Sequence, residues 1–254
     1  MPHSRIKSAK AIAATRQAGQ ILAEFLEKVT AQVKPGATGI ALDQFAENFI
    51  RDHGAEPAFK GFLNFPHTLC VSINDGMVHG IPNRVEIKPG DVVKIDAGVK
   101  VRGWNTDAAR TILVPPVNPI SQVLVNVTQT ALDAGISHVR DGTRLGTVQS
   151  AIQAVIEGAG LGLTKTLSGH GIGRSVHEPP TIPNYGKVET GELLQAGMVI
   201  CLEPMVTLGN GQVVLDKSDG WTYRSVDHTI TAHIEDTILV TRDGADVLSR
   251  RESV

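Results

Sequence analysis

The sequence predicts an α+β fold made of two related halves, and three observations carry that prediction. Two helical stretches precede two strand-like stretches, and the order then recurs. The stretch VKPGATGIALDQFAENFI (33–50) has a counterpart in VRDGTRLGTVQSAIQAVI (139–156), with Gly142 in the place of Gly36. Finally, IKPGDVVKIDAG (87–98) lines up with LQAGMVICLEPM (194–205), and TILV occurs at 111–114 and again at 237–240. Helix pairs followed by strand pairs pack as helices against a sheet.

The helical stretches are SAKAIAATRQAGQILAEFLEKV (8–29) and ISQVLVNVTQTALDAGISHV (120–139), each followed by its turn-and-helix partner. Apolar residues recur in them at three- and four-residue steps, the signature of an amphipathic helix. KIDAGVKVRGWNTDAARTILV (94–114) reads as two strands joined by a Gly-containing loop. Alternation puts Val93, Ile95, Ala97, Val99 and Val101 on one face and Asp96 on the other. A turn centred between Val101 and Arg102 sets Asp96 and Asp107 directly opposite, with Cβ atoms about 5 Å apart. The three-proline segment VPPVNPISQ (114–122) connects the halves, about 1–116 and 117–254. Both belong to a single domain spanning 1–254, because the carboxylates must converge and neither half holds a complete site.

Bulk composition narrows the function classes. At 254 residues, 41% hydrophobic and 20% charged, the chain is an ordinary soluble globular protein. A formal net charge of −2 gives no electrostatic case for nucleic acid or an acidic membrane surface. Two cysteines, Cys70 and Cys201, make no disulfide framework and suit a reducing compartment. The start MPHSRIKSAK lacks an apolar signal core, and no apolar run approaches the roughly 18 residues that span a bilayer. A cytoplasmic protein is the expectation.

The repeat also aligns the acids. Asp96 falls on Glu203, each six residues after its glycine. Asp107 precedes the first TILV by four residues and Glu235 the second by two, an even shift that keeps the strand face. One acidic pair on a hairpin is a solvated face; four aligned carboxylates converging on a sheet need a positive partner. No lysine or arginine sits regularly beside them. His170, in LSGHGIGRSVHEPP (167–180), is flanked by Gly169, Gly171 and Gly173, which allow close approach to a ligand. One imidazole and four carboxylates suit two divalent ions, Mn, Fe or Co rather than a Cys-rich zinc site. Two metals roughly 3.5–4 Å apart can hold a bridging hydroxide and clamp a tetrahedral intermediate. His79, in SINDGMVHGIPN (72–83), is read as lying on a strand before a Gly-Pro turn. It and His177 are loop histidines or donors to a substrate oxyanion. Other chemistries are missing: no G-x-S-x-G, no H-E-x-x-H, no GK[ST] ending after GHGIGR, and no C-x-x-C.

The segments NDGMVHGIP, KIDAG…NTD, GHGIGRSVHEPPTIPNYG, LEPM and IEDTILV, in that order, resemble type I methionine aminopeptidases over essentially the whole chain. The resemblance implies the pita-bread fold, a central antiparallel sheet between two pseudo-symmetric halves. It implies metal ligands Asp96, Asp107, His170, Glu203 and Glu235. Asp107 and Glu235 would bridge two divalent ions, with Asp96 on one ion and His170 and Glu203 on the other. Glu203 would also shuttle the proton, His177 would stabilise the tetrahedral intermediate, and His79 would bond near the scissile nitrogen. The implied reaction removes initiator methionine from nascent polypeptides whose second residue is small. Phe59, Phe62, Phe65, Cys70 and Trp221 are the candidates for the methionine pocket. Transient ribosome contact and a monomeric state go with that reading, with no nucleic-acid specificity and no membrane; zinc remains a possible metal beside Mn, Fe and Co. The start Met-Pro is one that such a peptidase would process.

Several positions depart from the family's usual pattern. Phe62 and Leu63 stand where Tyr and His are common, Asn105-Thr106 where His-Gly is common, and Asp236 where His is common. The first departure bears on substrate preference and the others on metal affinity. Two alternatives remain at this point: a proline-directed peptidase on the same fold, and a catalytically silent pita-bread protein that binds peptides or ribosomes. Proline-directed relatives usually carry an extra N-terminal domain, whereas here the catalytic repeat begins within the first ten residues.

Overall fold

The computed structural model describes residues 5–251; the Met1-Pro2 start lies outside them. In the first half, α1 (Ala9–Thr30) and α2 (Gly39–Asp52) precede β1 (Glu56–Pro57), β2 (Leu69–Ile73), β3 (Gly76–Val78), β4 (Val92–Val101) and β5 (Trp104–Leu113). In the second, α3 (Pro119–Ser137) and α4 (Leu145–Gly158) precede β6 (Gly162–Leu163), β7 (Ser168–Gly171), β8 (Glu178–Pro183) and β9 (Val199–Leu202). Then come β10 (Met205–Thr207), β11 (Val213–Leu215), β12 (Tyr223–Ser225), β13 (Thr231–His233), β14 (Asp236–Val240) and β15 (Ala245–Val247). Every strand pair is antiparallel, so the expected α+β class holds.

Local chemistry explains the helix ends. Ser8 and Thr38 accept the backbone N–H groups of Ala11 and Ala41, and Asn118 accepts that of Ile120 ahead of Pro119. Such caps are each worth about 1 kcal/mol. Arg144 offers α4 no side-chain cap, and the carbonyls of Glu192 and Thr190 take the N–H groups of Leu145 and Gly146 instead. Along α1 the buried residues Ala11, Ala14, Ala18, Leu22, Phe25 and Val29 form one stripe, as the periodicity predicts. Each half closes its own core: Phe25, Leu42 and Ile50 with Ile95 in the first, Leu124, Leu132 and Ile152 with Ile200 in the second.

The repeat is physical as well as textual. Gly36 and Gly142 both take left-handed φ, +85° and +78°, and donate to Ile87 O and Leu194 O, each at 2.9 Å. Gly90 and Gly197 do the same at +88° and +92°, donating to Val114 O and Val240 O, the last residues of the two TILV segments. An alanine at any of the four would meet backbone strain. Under the acids the strands of the halves meet at a seam, where Ala109 and Glu235 exchange backbone hydrogen bonds of 3.3 and 3.0 Å.

Two sequence expectations are corrected. The β4–β5 turn is Arg102-Gly103, both with positive φ (50° and 77°), the signature of a two-residue I′ turn. Asp96 therefore pairs with Ala109 and Asp107 with Gly98; the two acids are diagonal neighbours on one face, not directly opposite. Gly103 takes φ > 0 freely, which centres the turn one residue later and shifts the register by two residues, an even shift that keeps the face. The segment SINDGMV, expected as one strand before a turn, folds as β2 and β3 around Asn74, whose φ is 54°. Among the described residues, no helix is long and apolar enough to cross a membrane.

Candidate metal centre

The seam lies under the acidic cluster. Asp96 pairs across β4–β5 with Ala109, and Ala109 bridges to Glu235. Leu202 pairs with Asp236, so one step beyond the strands Glu203 and Glu235 face each other. His170 pairs with Cys201, two residues before Glu203. Five sequence-predicted residues are thus brought to one place by register alone, because side chains two apart share a strand face.

The cluster is buried and crowded. Asp96, Asp107, His170, Glu203 and Glu235 are all buried, none more than 9% exposed. One oxygen each from Asp96, Asp107 and Glu235 lie within 4.8 Å of one another. His170 Nε2 stands 3.5 Å from Glu203 Oε1, 3.9 Å from Glu235 Oε1 and 4.0 Å from Asp107 Oδ2. Its Nδ1 lies 3.0 Å from Gly171 O; donating there leaves the Nε2 lone pair facing the acids. Burial and the repulsion of neighbouring acids push the carboxyls of Asp107, Glu203 and Glu235 well above the usual range, and burial also raises Asp96. Burial lowers His170 to about 3, so the imidazole is neutral at pH 7.

These residues fit divalent cations. Asp96 Oδ1, Asp107 Oδ1 and Glu235 Oε1 are buried without any hydrogen-bond partner. An unsatisfied buried carboxylate oxygen costs several kcal/mol, and a cation among three of them removes that cost.

The acids and His170 form one wall of a cavity of about 100 Å³, whose other walls include Phe59, Phe62, Phe65, Cys70 and Trp221 together with His79 and His177. Its size suits one side chain, since pockets for drug-sized ligands run about 300–1,000 Å³. Phe65 and Trp221 meet edge to face at 5.0 Å, and Phe62 meets the His177 ring at 5.3 Å. Phe59 lies against Gly98, where an added Cβ would come within 2.7 Å of the ring. The mouth is the segment 61–64, in which Gly61, Leu63 and Asn64 all take positive φ. Leu63 is 69% exposed in that strained conformation, which non-glycine residues adopt at a cost of about 1–3 kcal/mol.

His79 also has positive φ (57°) and is lowered to about 4 by burial and then by His177. His177 is exposed at the mouth, and burial lowers it as well. Next to it, Glu178 forms a buried ion pair with Lys7 at 2.6 Å, which ties the His177 loop to the chain ahead of α1. The departures have structural roles. Asn105 Nδ2 donates to Gly173 O and Arg174 O, joining β5 to the loop after His170. Asp236 is fully buried and accepts from Arg110, Ser249 and Arg250 at 2.6–2.8 Å.

Sequence reasoning missed His233, Val78 and Val176, which also line the cavity, and had marked Leu63 only as a departure from the family pattern. The spacing His233-x-Glu235 was the available signal, since it puts both side chains on one strand face.

Known proteins resemble this chain over most of its length. The model of metallopeptidase family M24 matches residues 13–242. A methionine aminopeptidase of Mycoplasma capricolum is 43% identical over 97% of this chain and 98% of its own length. The crystal structure of methionine aminopeptidase from Rickettsia prowazekii superposes with a TM-score of 0.94 at 39% identity, covering 98% of this chain and all of that one. A prolidase from Pyrococcus furiosus shares the fold alone, at 23% identity and a TM-score of 0.78, and this chain covers 66% of it.

Proposed function

The chain belongs to metallopeptidase family M24, and from that premise we propose a metal-dependent aminopeptidase that removes the N-terminal methionine of new proteins with a small second residue. The observation that carries this reading is the junction of a buried carboxylate cluster with an apolar recess the size of one side chain. A methionine seated in the recess brings the first peptide bond beside the acids. Trp221, Phe59, Phe65 and Cys70 offer polarizable or apolar walls to a thioether. Phe62, Leu63 and His177 narrow the mouth, so a bulky second residue is excluded.

In this reading Asp96, Asp107, His170, Glu203 and Glu235 hold two divalent ions, Mn, Fe or Co ahead of Zn because oxygen donors dominate. When bound, the ions supply an activated water and neutralise charge developing on the substrate. Glu203, one of the acids facing the site, would take a proton from the attacking water and deliver it to the leaving amine. His177 donates to the developing oxyanion, and His79, held by strained backbone, bonds near the scissile nitrogen. The whole chain works as one domain, since each half supplies part of the ligand set. A monomer in brief contact with the ribosome completes the reading.

Methionine release from Met-Ala-Ser and Met-Lys-Ser peptides, beside an Ala-Pro peptide, tests it with metal-stripped protein and added Mn, Fe or Co. Metal-dependent cleavage of Met-Ala-Ser alone is expected. Cleavage of Ala-Pro instead moves the chain to the proline-directed branch, and no turnover by folded, metal-loaded protein overturns the assignment.

A further inference from the structure

We propose that His233 is itself a metal ligand, a second imidazole on the side of the Glu203–Glu235 pair away from His170. The proposal rests on the metal-dependent reading above. His233 is 1% exposed, and neither of its ring nitrogens has a hydrogen-bond partner. Leaving a buried polar group unmatched costs about 1–3 kcal/mol, so an idle imidazole at this position calls for a partner. Its Nε2 is aimed at Glu203 Oε2 (3.3 Å) and Glu235 Oε2 (3.8 Å). The other oxygens of the same two carboxylates, Oε1 in each case, face His170. Each carboxylate therefore presents one oxygen to each imidazole.

The donor atoms of Glu203, His233 and Glu235 lie within 4.8 Å of one another. That spacing is close to what one cation allows when it binds nitrogen and oxygen at about 2.0–2.2 Å. A direct hydrogen bond explains the geometry less well, since N–H···O bonds run about 2.7–3.2 Å and no aligned one forms here. The backbone that carries the ring is fixed in place. Met205 pairs with His233 across β10–β13, and Thr111 Oγ1 accepts the backbone N–H of His233 at 3.0 Å and donates to its carbonyl at 2.7 Å. A second nitrogen donor shifts a site that oxygen donors tune for Mn toward Co and Zn.

The experiment loads metal-stripped, full-length chain with two equivalents of Co(II) and counts coordinated imidazoles by X-ray absorption. The same is done for His233→Gln, with His170→Gln as the positive control. Wild type should show two imidazoles per pair of ions, and His233→Gln one, with Co(II) binding weakened tenfold or more. An unchanged imidazole count in His233→Gln overturns the proposal even if affinity falls, because groups that merely orient a ligand also change affinity by about 10–100-fold. Should the variant fail to fold, histidine-nitrogen NMR of the wild-type chain during Zn(II) titration decides. Two metal-shifted histidines support the assignment, and a single one overturns it. Wild-type protein that binds no Co(II) would sink the metal-dependent reading and this proposal together, whereas a loaded wild type with His233 uninvolved removes only this proposal.

Discussion

The two halves deliver the same pair of acids through very different connections. In the first, Asp96 and Asp107 sit on β4 and β5, joined by the two-residue turn Arg102-Gly103. In the second, Glu203 and Glu235 flank residues 204–234, which fold into β10 to β13. That insertion reaches back to pair β12 with β3 of the first half, and it carries Trp221 and His233 into the cavity. In the proposed reading the repeated elements place the four acids, while the unrepeated insertion adds His233 and, with the 59–65 segment, shapes what can approach them. Symmetry there serves the acidic cluster, and its breaking serves selectivity.

If that division is right, damage to the repeated part should abolish chemistry and damage to the unrepeated part should alter choice. The largest effect is expected for Asp107→Ala, which takes an acid from the centre of the cluster. Metal binding and kcat/KM should each fall more than about hundredfold, since even a lost neighbour of a ligand costs about 10–100-fold. Metal titration alongside peptide turnover checks this. At the seam, Asp236→Ala leaves Arg110 and Arg250 without their buried partner and should cost about 3–5 kcal/mol of stability, read from urea unfolding.

Metal removal probes the same symmetric part. Saturating ions at about 100 times Kd should add about 2.7 kcal/mol to stability, seen as a rise in Tm. The stripped chain should also lose stability as pH rises. Asp107, Glu203 and Glu235 have folded pKa values above their ordinary 3.8–4.5, so the folded state holds extra protons. Their contribution is complete below pH 4 and is lost as pH climbs through the raised values; a Tm series from pH 4 to 9 reads that slope.

The unrepeated part should respond differently. Trp221→Ala, with metal binding unchanged, should raise KM for Met-Ala-Ser and shrink its advantage over a Leu-Ala-Ser peptide by about 10-fold or more. Gly98→Ala should push Phe59 into the recess and raise KM with little change in metal affinity, because the clash falls on a ring and not on a ligand. The smallest effect is expected at the mouth. Leu63→Asn keeps the left-handed backbone with a residue that tolerates it, and should add about 0.5–1 kcal/mol to stability while loosening the limit on the second residue.

Much of this was readable in the sequence because strand chemistry has period two. Gly90 with Asp96, Gly197 with Glu203 and the paired TILV segments fix which face each acid occupies, and a register error of two residues at the Arg102-Gly103 turn left that face intact. The aromatics Phe59, Phe65 and Trp221 were legible as candidates only through family resemblance. They lie outside the repeat, in segments 59–65 and 204–234, whose paths depend on local φ angles at Gly61, Leu63 and Asn64. His233 escaped because the short β13 offers only the single step His233-x-Glu235, and its meaning comes from Glu203, which is remote in sequence.

The seam at Ala109 and Glu235 has a consequence for the order of events during folding. Arg110 clasps it from behind, donating to Ala109 O and Glu235 O as well as to Asp236. Until residues near 235 exist and dock, Asp96 and Asp107 are two acids on a hairpin with no imidazole opposite. Closing a contact over that much chain is entropically slow. If the proposed centre holds an ion, that ion would be a late rivet between two sheets that have already found their partners, and a shortage of metal during synthesis should leave a protein folded in each half but loose along its middle.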